Sequence, residues 1–131
     1  MTATALAKFE NIKHESAALE LGAEGCARLM LHRTYSGALV GESQAELLAC
    51  HTAEGVFGYV GCDHFKGTLD GRAGSFVFQH GEMHDREGTR PFGFVVTGSG
   101  TGELAGLTGD VLISVTGNGA HHLKLEYRLD T

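Results

Sequence analysis

The sequence predicts an all-β protein, a small closed antiparallel β-barrel of about eight strands in an up-and-down meander. Three observations carry that prediction. Apolar and polar residues alternate with a period of two along most of the chain. Glycine occurs 20 times and proline once, a balance that suits tight turns between short strands. No segment is long enough for a crossover helix, which favours antiparallel neighbours over a parallel α/β sheet.

The elements follow in order. Residues 4–12 and 42–51 are the weakest strand assignments. AALELGAEG (17–25) holds a short helical turn or a loop, limited by Gly22 and Gly25. CARLMLHRTY places Leu29, Leu31, Arg33 and Tyr35 on one face. GVFGYVGCDHF does the same for Phe57, Tyr59, Asp63 and Phe65, and SFVFQH for Phe76, Phe78 and His80. FGFVV and DVLISV are two further strands. HHLKLEYRLD alternates most cleanly, with His121, Leu123, Leu125, Tyr127 and Leu129 on one face and charged or polar residues on the other.

A repeat accounts for many of the glycines. The pentad G-x-L-x-G occurs at 37–41, 67–71 and 102–106, against about 0.35 copies expected by chance from composition. Each copy follows one strand run and precedes another. It reads as a barrel corner, in which glycines take positive-φ positions and a single leucine points inward to plug one end. GSGTGELAGLTG (98–109) also fits the G-x-G-x-x-G/A pattern of dinucleotide sites. That chemistry needs a helix directly after the glycines, and Gly106, Gly109 and the strand near Asp110 leave no room for one.

The 131 residues suit one domain spanning 1–131. A net charge of −6 without a basic run argues against nucleic acid and anionic membrane surfaces as partners. No apolar run approaches a membrane span, and the N-terminus lacks the pattern of a signal peptide. Cys26, Cys50 and Cys62 form no C-x-x-C and read as free thiols, so a cytoplasmic location is expected.

GCDHFKGTLDGRAGSFVFQHGEM, VTGSGTGELAGLTGD, TYSGALVGES and the closing LEYRL resemble a bacterial family of small proteins of unknown function. The likeness covers most of residues 26–129. Members of that family are similar to the allene oxide cyclase barrel. The resemblance therefore implies a calycin-like barrel with an apolar cavity, often oligomeric. It implies no cyclase residues in this chain, since none can be matched one by one.

If the apolar faces point inward, they carry a small polar set, as ligand pockets do. His80 and Asp63 are the candidate catalytic acid–base pair, because a carboxylic acid in an apolar cavity tends to titrate high and imidazole complements it. Tyr35, Tyr59, Phe57, Phe65, Phe76, Phe78 and His121 are candidate ligand-binding residues, with Arg33 at a rim. The plainer alternative is a set of hydrogen-bonded core residues. His80, Glu82 and His84 alternate in HGEMH and would share one strand face, which opens a metal-dependent alternative. No metal site is assigned and no cofactor is expected. MHDREGTR reads as a solvated hairpin loop that could lid the mouth. A Ser-His-Asp hydrolase is excluded, because Ser99 lies in VTGSGTG with no strand-to-helix elbow. The expected function is binding of a small apolar or amphipathic molecule, with isomerisation or cyclisation by cofactor-free acid–base chemistry. The alternative is a non-catalytic carrier or sensor. The expected partners are that molecule and further copies of the chain.

Overall fold

The computed structural model describes residues 2–18 and 25–129. Nine strands form one sheet: β1 (Ala3–Ala18), β2 (Cys26–Gly37), β3 (Leu39–His51), β4 (Phe57–Leu69), β5 (Arg72–Asp85), β6 (Gly88–Val95), β7 (Thr101–Gly102), β8 (Thr108–Val115) and β9 (His121–Arg128). No helix occurs among the described residues. Eight long strands close a ring in the order β1-β2-β3-β4-β5-β6-β8-β9, and β9 returns to β1. Every pairing is antiparallel. This is the predicted barrel, and both weakly assigned strands are present as β1 and β3. Of the segment expected as a helical turn or loop, residues 19–24 lie outside the described residues, while Ala17 and Ala18 belong to β1.

Two details depart from expectation. MHDREGTR is mostly strand. β5 runs on to Asp85, β6 begins at Gly88, and only Arg86 and Glu87 make the turn. Asp85 tightens that turn by accepting the Glu87 amide at 2.9 Å and pairing with Arg90 at 2.7 Å. The short strand β7 was not anticipated. It continues the edge of β5 where β6 stops, pairing Thr101 and Gly102 with Ser75 and Gly74. Ser99 and Thr101 side chains also accept the Val77 and Ser75 amides.

The ends of the barrel differ. The three G-x-L-x-G pentads make the β2–β3, β4–β5 and β6–β8 connections, all at one end. All six of their terminal glycines have positive φ. Gly41 and Gly67 face each other across β3 and β4, and a Cβ on Gly67 would stand 2.1 Å from the Val40 carbonyl oxygen. No side chain fits there. Leu39, Leu69 and Leu104 are fully buried, with Leu107, Phe65, Phe76 and Leu125 packed around them. The expected inward leucine plug is therefore present at the closed end.

At the other end, the inward positions of β2, β4, β5, β8 and β9 (Leu29, Leu31, Phe57, Tyr59, Glu82, Ile113, His121) are only half-buried. The barrel is a cup, filled below and open above. β6 and β8 meet at a single pair, Phe94 with Asp110. On the outer surface Leu48, Val60, Phe92 and Leu112 make a half-exposed apolar row across β3, β4, β6 and β8. Gly81 of β5 sits in that row, where a Cβ would strike the Phe92 ring at 2.6 Å.

Candidate functional site

The floor of the cup is a buried polar network. Asp63 on β4 is wholly inaccessible, and its neighbours in the interior are Arg33 on β2, Ser43 on β3 and His80 on β5. A carboxylate surrounded this way must be hydrogen-bonded to be tolerated. Arg33 donates from Nη1 to Asp63 Oδ2 at 3.2 Å, and Ser43 donates from Oγ to Oδ1 at 2.7 Å. His80 Nε2 lies 2.6 Å from Oδ2. Since the Ser43 proton points at Asp63, Tyr35 donates its hydroxyl to Ser43 Oγ at 2.7 Å. Arg33 is held on its far side by Asn11 Oδ1 at 3.0 Å and lies 4.8 Å from the Phe9 ring centre. Among the described residues no buried side-chain polar atom lacks a partner.

The network climbs toward the mouth. Asp63 pairs with Phe78 in the ladder, the next inward pair is Gly61 with His80, and the next is Tyr59 with Glu82. A carboxylate only accepts, so His80 carries its proton on Nε2 in this arrangement. Its Nδ1 then faces the Tyr59 hydroxyl at 3.0 Å. Exposure rises along the same path, from none at Asp63 to 2 % at His80 to half-buried at Tyr59. Tyr59 is thus where the buried network reaches the open end. Burial first, then the charge of Glu82, pushes its phenol up to about 12, against a smaller lowering by Arg33. Burial and the Asp63 charge push the Tyr35 phenol higher still.

The sequence-assigned residues fall into three groups. Asp63, His80, Tyr59, Tyr35 and Arg33 form the network. Arg33 is buried within it, not at a rim, because only an interior cation can face the sealed carboxylate. Phe57 and His121 line the mouth, with His121 stacked 5.1 Å from Phe9. Phe65, Phe76 and Phe78 are packed core, in contact with one another at 5.2–5.9 Å between ring centres. Ser43 and Asn11 were missed. Ser43 was findable, since it precedes Ala45 and Leu47 at inward spacing on β3, while Asn11 sits at a register shift in β1 that no periodicity reveals.

His80, Glu82 and His84 do share the inner face of β5. No group of three His, Cys, Asp or Glu side chains among the described residues is arranged to hold a metal. A groove of about 440 Å³ lies on the outside of the wall, flanked by Leu48, Val60, Phe92 and Phe94. No helix among the described residues is long and apolar enough to cross a membrane.

A family profile described as protein of unknown function (DUF3224) matches residues 3–127. A crystal structure of a protein with unknown function from that family, from Shewanella oneidensis MR-1, is 34% identical with a TM-score of 0.88. The alignment covers 100% of both chains. No curated protein matches. Neither match connects the chain to allene oxide cyclase. Fold, motifs and profile agree, and the chain belongs to the DUF3224 family.

Proposed function

We propose that the open end of the barrel binds a compact apolar or amphipathic molecule above Tyr59, and that the Tyr59–His80–Asp63 chain moves a proton to or from it. The observation that carries this reading is the climb of one hydrogen-bonded chain from a sealed carboxylate to a half-buried phenol at the mouth. The half-buried apolar side chains Leu29, Leu31, Phe57 and Ile113 would receive the apolar part of the ligand. A donor group on the ligand would hydrogen-bond to the Tyr59 oxygen. As the ligand proton passes to Tyr59, the Tyr59 proton passes to His80 Nδ1, and Asp63 holds the resulting imidazolium. Tyr59 would touch the substrate, His80 would relay the proton, and Asp63 would fix the tautomer. Isomerisation or cyclisation needs no more than this. The likeness to the allene oxide cyclase barrel belongs to this proposal, with no residue carried over from it. A cytoplasmic setting is part of the same proposal.

The competing reading is a carrier. In that case the network serves only to hold the floor of the cup, and Tyr59 orients a ligand that leaves unchanged. A fluorescent polyene fatty acid, titrated into the purified chain, separates site from surface. Saturable binding should weaken by about tenfold, or ~1.4 kcal/mol, in Leu31→Asp and stay unchanged in Phe92→Ser on the outer row. The opposite pattern refutes a site at the mouth. Incubation with a small-molecule extract then tests turnover. A product of unchanged mass and shifted retention, present with wild type and lost in Tyr59→Phe and His80→Gln, supports the enzyme. Binding without any such product supports the carrier.

A further inference from the structure

Cys26 and Cys50 are directly opposed on the outer face of β2 and β3, at the rim of the open end. The His51 amide donates to the Gly25 carbonyl at 2.9 Å, which makes the position beyond them a hydrogen-bonded one. Antiparallel pairs alternate, so Cys26–Cys50 occupies the position where side chains stand closer. Their Sγ atoms are 2.7 Å apart, and both residues are half-buried and reachable from solvent. Disulfides need Cα atoms about 4.4–6.8 Å apart, and a non-hydrogen-bonded pair at about 4.5 Å meets that without moving the backbone. The ladder continues through Ala27–Ala49 beside them, so strand pairing does not depend on a bond between the sulfurs. Cys62 is different. It lies on β4 beside His64 at 3.9 Å, with no thiol opposite.

We propose that Cys26 and Cys50 form a reversible dithiol–disulfide site that takes hydrogen peroxide or a small-molecule disulfide as its oxidant. With peroxide, one thiolate attacks an oxygen atom and becomes a sulfenic acid, releasing hydroxide that is protonated to water. The second sulfur then attacks the sulfenic sulfur and expels a second water. Two thiols and one peroxide give one disulfide and two waters, each sulfur losing one electron. With a small-molecule disulfide the same bond forms through a mixed disulfide, releasing two small thiols. The Cys50 thiol is pushed up, first by its hydrogen bond with Cys26 and then by burial. The closed form would staple the lip of the cup across β2 and β3, beside the inward Leu29 and Leu47.

The test uses the full chain equilibrated in reduced and oxidised glutathione. Oxidation should remove the mass of two hydrogens, and peptide mapping should recover Cys26 linked to Cys50. The bond should persist in Cys62→Ser and vanish in Cys26→Ser and in Cys50→Ser. The oxidised wild type should melt about 5–10 °C above the reduced form, as a link closing a loop of this length does. The serine variants should melt within a few degrees of reduced wild type and show no such rise. Single glutathione adducts without an internal link, or only Cys62-linked dimers, would overturn the proposal.

Discussion

Asp63→Asn tests the floor of the cup directly. The carboxylate and the Arg33 guanidinium face each other at 3.2 Å with side chains 0 % and 5 % exposed. At an effective dielectric near 20 their attraction is of order 5 kcal/mol, offset in part by the cost of removing both charges from water. Removing one partner leaves the other charge buried and uncompensated, which costs about 3–5 kcal/mol. Asn11 and the Phe9 ring remain beside Arg33, so the loss should sit near the lower figure. His80 can reverse its tautomer to accept from the new amide, so the rest of the network survives. Total stability for such a domain is about 5–15 kcal/mol, so the variant should remain folded and melt some 10 °C lower. Arg33→Met alone should cost a similar amount. The double variant is the decisive one, because it removes both charges together. Its cost should fall short of the sum of the singles by about 2 kcal/mol or more. Urea melts followed by far-ultraviolet circular dichroism give all three values. Additivity within about 0.5 kcal/mol would refute a buried, mutually dependent pair.

Two further tests concern titration and backbone. Tyr35, Tyr59 and Tyr127 all have phenols pushed above their ordinary range, Tyr59 and Tyr127 to about 12, in each case first by burial. The fold therefore favours the protonated phenols. Their contribution to stability is complete below pH ~10, the unfolded value, and drains away as pH rises toward about 12. Phenolate absorbance should stay flat through pH ~10 and rise only with loss of the circular dichroism signal; a tyrosine ionising near pH 10 in the intact barrel would contradict the structure. Gly67→Ala should be among the costliest single changes, several kcal/mol by thermal melt, since a Cβ there meets backbone at 2.1 Å. Gly117→Ala, with no atom within 4 Å of its Cβ position, should be neutral or gain about 0.5 kcal/mol. Equal losses at the two sites would remove the corner argument.

Much of this architecture is legible in the chain because closure leaves each strand one wet and one dry face. HHLKLEYRLD reads directly as β9, and the pentads mark the three closed-end corners because glycine suits the positive-φ positions at their ends. Period-two spacing also placed Tyr59, Asp63 and His80 inside. It did not show what they touch. Arg33 alternates with the same apolar residues whether it snorkels to a rim or faces a carboxylate, and only the strand order that sets β2 and β4 on either side of β3 decides between them. FGFVV illustrates another limit. Phe92 and Phe94 point outward, and the inner place goes to Gly93, where a Cβ would crowd the His80 Cβ at 3.1 Å. When phenylalanine alternates with glycine, periodicity fixes the alternation and leaves its phase open. The extra residue in β1 near Ile12 shifts the register without any composition mark, which hides Asn11.

The ring closes through β1 and β9, with Ala3 beside Tyr127 and Phe9 beside His121. Chain synthesis runs in one direction, so β1 pairs early with β2 but must wait for nearly the whole barrel to be made before its second partner, β9, exists. Throughout that interval its edge offers unpaired amides and carbonyls, and Leu6 stands exposed upon it. Such an edge can recruit the β9 of another nascent copy. The seam that closes the finished barrel is thus the one at which crowded, unfinished chains would exchange strands.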